Sequence, residues 1–221
     1  MRTGPGPFAN LWHLFLLLLL DLLFFGLNRV EIRGRNWIPR RGERNVLMLC
    51  NHISALDPLL IGASAMPRWS PVWWRAAAKE ELFQTPLSRW AVRSIGAVPV
   101  ARGRHDADSI RRIVGAIPDS VLVLFPEGTW SETGALLPGR TGVGRVIYEA
   151  RPGKILPVAI QGTDRILPRG RIWPRAGRAA RIAYGAPLDL TRFYAAPAGP
   201  ETYRAIVDAA MAAIGRLYAE L

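Results

Sequence analysis

One cysteine, three histidines and two lysines are all that the 221 residues contain of those types. Cys50 alone excludes an internal disulfide framework and accords with a reducing compartment. It lies in an apolar run and reads as a buried side chain. His13, His52 and His105 are scattered, and with one cysteine they give no ligand spacing, so the sequence implies no metal centre. Zinc-finger spacing, an RNP-type string and basic blocks interleaved with aromatics are all missing, which leaves no signature of nucleic-acid recognition. No internal repeat occurs, and the only low-complexity tract is Leu16 to Leu20. Acidic residues are also in deficit, 17 against 29 basic ones for a net charge of +12, and all but Lys79 and Lys154 of the basic residues are arginines. Such a surplus favours anionic partners, phosphates or acidic lipid head groups, although a basic solvated surface accounts for it equally.

What is present in excess is apolar. Half of the residues (50%) are hydrophobic and the mean hydropathy is +0.11, high for a soluble enzyme but short of a polytopic membrane protein. Residues 8 to 27, FANLWHLFLLLLLDLLFFGL, have the length that crosses a bilayer, about 20 residues. His13 and Asp21 interrupt them, and a central aspartate costs about 2.5 to 3.5 kcal/mol on insertion scales. The leucine run leaves no polar face of the kind that marks an interfacial helix. A membrane-embedded or re-entrant helix is therefore expected over residues 1–28, with a true span possible; no small-residue cleavage site follows, which disfavours a secretory signal. Arg29, Arg33, Arg35, Arg40, Arg41 and Arg44 come next, and the positive-inside rule keeps such a cluster, and the domain of residues 29–221 after it, on the cytoplasmic side of an inner or plasma membrane.

Beyond residue 28 the pattern is α/β. RVEIRG (29–34), NVLMLCN (45–51), SIGAVPVAR (94–102), SVLVLFPEG (120–128), ILPVAIQG (155–162) and ARIAYG (180–185) read as strands, several of them continuous apolar runs of the kind buried in sheet centres. Helices are expected over 57–66, with Asp57 as N-cap and Pro58 at the first helical position, over 107–117, near 141–150, and over 200–221. The alternation implies a mixed, largely parallel central sheet with helices on both faces. The stretch 165–181 reads as a surface loop or hairpin.

In LMLCNHISALDPLLIG (47–62), His52 and Asp57 fall in the turn between a buried strand and a helix, at the carboxyl edge where α/β sheets place their sites. A carboxylate accepting the Nδ1 proton fixes the imidazole tautomer and frees Nε2 to act as a base. On this spacing alone, a helix cap beside a satisfied turn histidine fits equally.

Four motifs in this order separate the two readings: Asn51-His52-x-Ser54-x-x-Asp57, GAVPVAR at 96–102, FPEGT at 125–129 and ILPVAI at 155–160. Together they resemble the glycerolipid acyltransferase family, typified by the 1-acyl-glycerol-3-phosphate acyltransferases, from about residue 30 to 190. The resemblance implies a fatty acyl group moved from acyl-CoA or acyl carrier protein to a lysophospholipid hydroxyl, by default giving phosphatidic acid, with no cofactor and no covalent acyl-enzyme. It makes His52 the base and Asp57 its orienter, with Asn51 and Ser54 in the same motif. Arg102 matches the acceptor-binding arginine, whose guanidinium is suited to gripping a phosphate by two parallel bonds. Glu127, Gly128 and Thr129 match the acceptor-binding block, and Pro157 the motif that shapes the donor side. Membrane phospholipid and lysophospholipid, but no nucleic acid, are the implied partners.

The chain also departs from the pattern. Trp130 stands where the third motif usually continues with arginine, so one phosphate or head-group contact implied by the resemblance is missing, and Arg140 replaces a common lysine with retention of charge. The segment PRWSPVWWRAAAKEELF (67–83) carries Trp69, Trp73 and Trp74 among arginines, a composition suited to the headgroup layer, with core packing of one or two of these tryptophans left open, and matches the family's AK-E-L string at Ala78, Lys79, Glu81 and Leu82. A serine hydrolase is a rival, since GASAM (62–66) approaches a nucleophile elbow, but the last glycine is absent and Ser64 falls in mid-helix. Two further rivals are an acyltransferase acting on another lysolipid or lipid alcohol, and a non-catalytic membrane protein that binds anionic lipid.

Overall fold

The computed structural model describes residues 7–65, 74–94, 96–100 and 107–221. Arg102, Trp69, Trp73 and His105 lie outside them. The elements run α1 (Pro7–Asp21), β1 (Arg29–Arg33), β2 (Val46–Cys50), α2 (Asp57–Ala65), β3 (Trp74–Lys79), α3 (Pro86–Ser94), β4 (Val98–Val100), α4 (Ala107–Ala116), β5 (Val121–Leu124), α5 (Thr141–Ala150), β6 (Lys154–Gln161), α6 (Thr163–Ile166), β7 (Ala179–Tyr184), α7 (Thr191–Tyr194) and α8 (Pro200–Ala219).

Seven strands form one sheet in the order β1-β7-β6-β2-β5-β3-β4. All neighbours are parallel except β6 and β7, which run antiparallel from Val158↔Tyr184 to Gln161↔Arg181. β2 is central, and all five of its side chains are buried. Its alternation feeds two cores: Val46, Met48 and Cys50 face the layer of α2, with Leu60 and Ile61, while Leu47 and Leu49 face α5 and α8, with Ile147, Ile206 and Val207. A strand covered on both faces needs a continuous apolar run, which VLMLC supplies.

α1 continues into a π-helical turn over Leu22–Gly26 and packs on α2. Leu17, Leu20 and Phe24 are buried, each worth about 1.5–3 kcal/mol when removed from water. The opposite face carries Leu11, Phe15, Leu18, Leu19, Leu22 and Phe25, all exposed. Among the described residues no helix is long and apolar enough to cross a membrane.

Beyond the elements read from the sequence, the structure has β3, α3 and the short α6 and α7. Trp74 to Lys79 form β3, paired with β5 and β4, and Trp74 takes the core position that the sequence left open for one or two of the tryptophans. Pairing on both sides is what removes this segment from the surface. α3 was not anticipated. In α2, the first helical hydrogen bond runs from the Leu60 N–H to the Leu56 carbonyl at 2.8 Å. Leu56 therefore holds the cap position, and the Asp57 carboxylate points back into the preceding turn.

Candidate active site

Three neighbouring strands end side by side. The segments that leave β2, β5 and β6 at their carboxyl ends carry Asn51 to Asp57, Phe125 to Gly128 and Gly162-Thr163. Asn51, fully buried, extends the β2–β6 pairing with its side chain: its amide donates to the Ile160 carbonyl at 3.0 Å and its Oδ1 accepts the Ile160 N–H at 2.8 Å. This locks the start of the turn, so that the next residue, His52, emerges at a fixed place.

His52 Nδ1–H donates to Asp57 Oδ2 at 2.7 Å. The same oxygen accepts the backbone N–H groups of Ile53 at 2.7 Å and Ser54 at 2.8 Å. Asp57 Oδ1 accepts the Thr163 hydroxyl at 2.5 Å. Asp57 and Thr163 are both 0% exposed. A carboxylate buried to this degree persists only when its lone pairs are engaged, and here four donors engage them. With Nδ1 carrying the proton, Nε2 presents its lone pair, and among the described residues nothing hydrogen-bonds it.

The imidazole is walled by aromatics. Phe125 stacks on it with ring centroids 4.1 Å apart, and Trp130 meets it edge-on at 5.8 Å. Its backbone is held as well: the His52 N–H donates to Glu127 Oε1 at 3.2 Å, and the His52 carbonyl accepts the Ser131 N–H at 2.7 Å. Glu127 is 1% exposed, and its other oxygen accepts the Leu137 N–H at 3.3 Å. Burial, with the charge of Asp57 adding to it, pushes the Glu127 carboxyl up to about 7 despite those two backbone bonds. Burial also raises the Cys50 thiol well above its ordinary range, with Asp57 and Glu127 contributing.

The expected site residues thus separate by placement. His52, Asp57, Asn51, Ser54 and Glu127 form one buried cluster, with the Ser54 hydroxyl donating to the Leu167 carbonyl at 3.2 Å and accepting the Leu56 N–H at 3.3 Å. Gly128 and Thr129 are half-buried at its border, and Arg140 is exposed, with Nε donating to the Glu127 carbonyl at 3.4 Å. Pro157 is buried inside β6 opposite Leu49, three residues before His52 in register, and packs beside Gly185 on the other face of the sheet from α2. Ser64, in α2, donates its hydroxyl to the Leu60 carbonyl one turn back and also meets the Tyr184 hydroxyl of β7. Among the described residues no group of three or more His, Cys, Asp or Glu could hold a metal ion.

Sequence reasoning missed Thr163. The available signal was a hydroxyl residue two positions past the end of β6, but its use depends on β6 lying next to β2. Gly162 makes the approach possible: its φ is +84°, and a Cβ there would lie 2.3 Å from the Ala179 carbonyl oxygen.

Known proteins resemble the chain in sequence and in fold. The chain is 27% identical over 172 residues to a chloroplastic 1-acyl-sn-glycerol-3-phosphate acyltransferase of Arabidopsis thaliana, covering 74% of this chain and 45% of that one. It is 24% identical over 185 residues to the 1-acyl-sn-glycerol-3-phosphate acyltransferase of Streptococcus pneumoniae, covering 82% and 64%. The chain spans about half the length of the curated relatives it matches. The crystal structure of PlsC, a 1-acyl-sn-glycerophosphate acyltransferase of Thermotoga maritima, shares the fold with a TM-score of 0.71 at 23% identity, over 98% of this chain and 83% of that one. Residues 29–161 match the family described as acyltransferase, and they hold His52, Asp57 and the ends of β2, β5 and β6; the chain belongs to the acyltransferase family.

Proposed function

We propose that the protein transfers a fatty acyl group from a thioester carrier, coenzyme A or acyl carrier protein, to the free hydroxyl of a lysophospholipid. 1-Acyl-glycerol-3-phosphate is the first acceptor to test, because it is the substrate in the names of the relatives. His52 Nε2 takes the acceptor hydroxyl proton as the oxygen attacks the thioester carbonyl. The tetrahedral intermediate expels the thiolate, which recovers the proton from the imidazolium. Asp57 holds the tautomer and stabilises the transient cation. The observation that carries this reading is the 2.7 Å Nδ1–Oδ2 bond to a carboxylate engaged by three further donors.

Asn51, Ser54 and Glu127 hold the turn, while Gly128, Thr129 and Arg140 border the place where a phosphorylated acceptor would sit. Arg102 is assigned to the acceptor phosphate on the strength of its motif, and Pro157 to the donor side on the same ground. The exposed apolar face of α1 supports membrane association, and the exposed arginines from Arg29 to Arg44 support a cytoplasm-facing domain after a membrane-anchoring segment.

The test is acyl transfer by the reconstituted full chain, with oleoyl-CoA or oleoyl acyl carrier protein and a panel of lysolipids. His52→Ala should abolish product, and Asp57→Asn should lower kcat by up to about 10⁴-fold through the wrong tautomer. Full activity in His52→Ala would make the mechanism wrong. Product from a different lysolipid only would keep the chemistry and change the acceptor.

A further inference from the structure

We infer that the loop after α6, residues 167–178, docks on an anionic lipid bilayer and forms a second contact beside α1. At its tip Ile172 is 83% exposed and Trp173 77%, neighbouring large apolar side chains held in water. Arg171, Arg175 and Arg178 belong to the same loop and Arg165 precedes it in α6, and between Asp164 and Asp189 the chain has no acidic residue. Among the described residues no carboxylate pairs with these four arginines; Arg169 pairs with Glu132. A tryptophan beside an isoleucine in a loop carrying guanidinium groups without carboxylate partners is complementary to the headgroup boundary of an anionic membrane.

The loop is built rather than frayed. The Arg175 N–H donates to the Ile166 carbonyl at 2.7 Å and the Arg171 N–H to the Pro168 carbonyl at 3.1 Å, so the tip is pinned close to its base. Its returning arm is tied to the end of the N-terminal segment: the Gly177 N–H donates to the Leu27 carbonyl at 2.8 Å, and the Arg178 N–H to Asn28 Oδ1 at 2.8 Å. The loop root is therefore continuous with the exposed side chains of Leu22, Phe25 and Leu27. Its outgoing arm, through the Leu167 carbonyl, holds the Ser54 hydroxyl in the turn that carries His52. A bilayer seated on the tip would thus meet the protein at the strand ends that present the histidine.

The inference rests on the membrane association proposed above, and vesicle binding tests it independently of turnover. The full chain is sedimented with vesicles of phosphatidylcholine alone or mixed with phosphatidylglycerol, as wild type, as Ile172→Ser with Trp173→Ser, as Arg171→Gln with Arg175→Gln, and as Phe15→Ser with Leu18→Ser. The apolar loop variant should bind mixed vesicles about tenfold more weakly or worse, and the charge variant about fivefold more weakly per arginine on mixed vesicles only. Brominated lipid should quench less fluorescence in Trp173→Phe than in wild type. Wild-type affinity in both loop variants overturns the inference; weakened binding of the α1 variant in that case leaves α1 as the membrane contact. A wild-type chain that binds neither vesicle overturns both.

Discussion

Replacing Thr163 with valine keeps the side-chain shape and removes one atom's chemistry. The Thr163 hydroxyl is the donor to Asp57 Oδ1, at 2.5 Å, while the other three donors converge on Oδ2. Both residues are fully buried, so no water from bulk takes the vacated place without rearrangement. A hydrogen bond to a charged group is worth about 1.5–3 kcal/mol, and a loss of stability of that size is expected in a denaturant titration. If about 1.4 kcal/mol of it reaches the transition state through a less well fixed Asp57, kcat falls about tenfold. KM should hold, because a residue with no exposed surface touches neither acceptor nor donor. Thr163→Ser retains the hydroxyl and should recover most of kcat. Stability loss with unchanged kcat, or a rise in KM alone, would refute the assignment of Thr163 as a positioning residue for the Asp57–His52 pair.

Glu127→Gln should flatten the pH dependence of stability. The folded carboxyl titrates at about 7 and the ordinary value is 4.5; between these the fold keeps a proton that the unfolded chain has released, so wild-type stability falls as pH rises, by on the order of 3 kcal/mol across that window. Denaturant midpoints from pH 4 to about 8 should show the slope in wild type and lose it in the variant; parallel slopes would refute the assignment. Gly162→Ala should lower both the melting temperature and kcat, since an αL backbone costs a non-glycine residue about 1–2 kcal/mol and the added carbon would press on the Ala179 carbonyl. Wild-type melting and turnover would show that β7 yields there.

The central strands were legible because burial on both faces demands uninterrupted apolar runs, and VLMLC, VLVL and LPVAI are such runs. The segment around Trp74 was not, since WRAAAK mixes a large ring, a charge and small residues, and only its pairing with β5 and β4 makes it a strand. His52 and Asp57 could be found because they are five residues apart in one turn. Thr163 lies 106 residues from Asp57, and Asn51 pairs with Ile160 across 109, so their contacts depend on strand order, which local sequence does not encode. Burial turns the Glu127 carboxylate inward to the backbone of His52 and Leu137, a placement that the EGT string by itself does not show.

The two buried carboxyl groups beside His52 have different surroundings, and the difference bears on which of them governs the ring. Asp57 receives four hydrogen bonds, none longer than 2.8 Å, from two backbone amides, a hydroxyl and the imidazole itself. Glu127 receives two, at 3.2 and 3.3 Å, and its titration is displaced up to about 7. Negative charge at this edge of the sheet is therefore best stabilised on Asp57, in line with Nδ1. Glu127 contacts the histidine through the backbone N–H and so fixes the residue's position without competing for its ring proton. Phe125 and Trp130 complete the constraint, for a stacked ring at 4.1 Å and an edge at 5.8 Å limit rotation about the side-chain bonds. The imidazole is held in one orientation, with Nδ1 on Asp57 and Nε2 left without a hydrogen-bond partner among the described residues, which are conditions that the proposed general base requires before any substrate arrives.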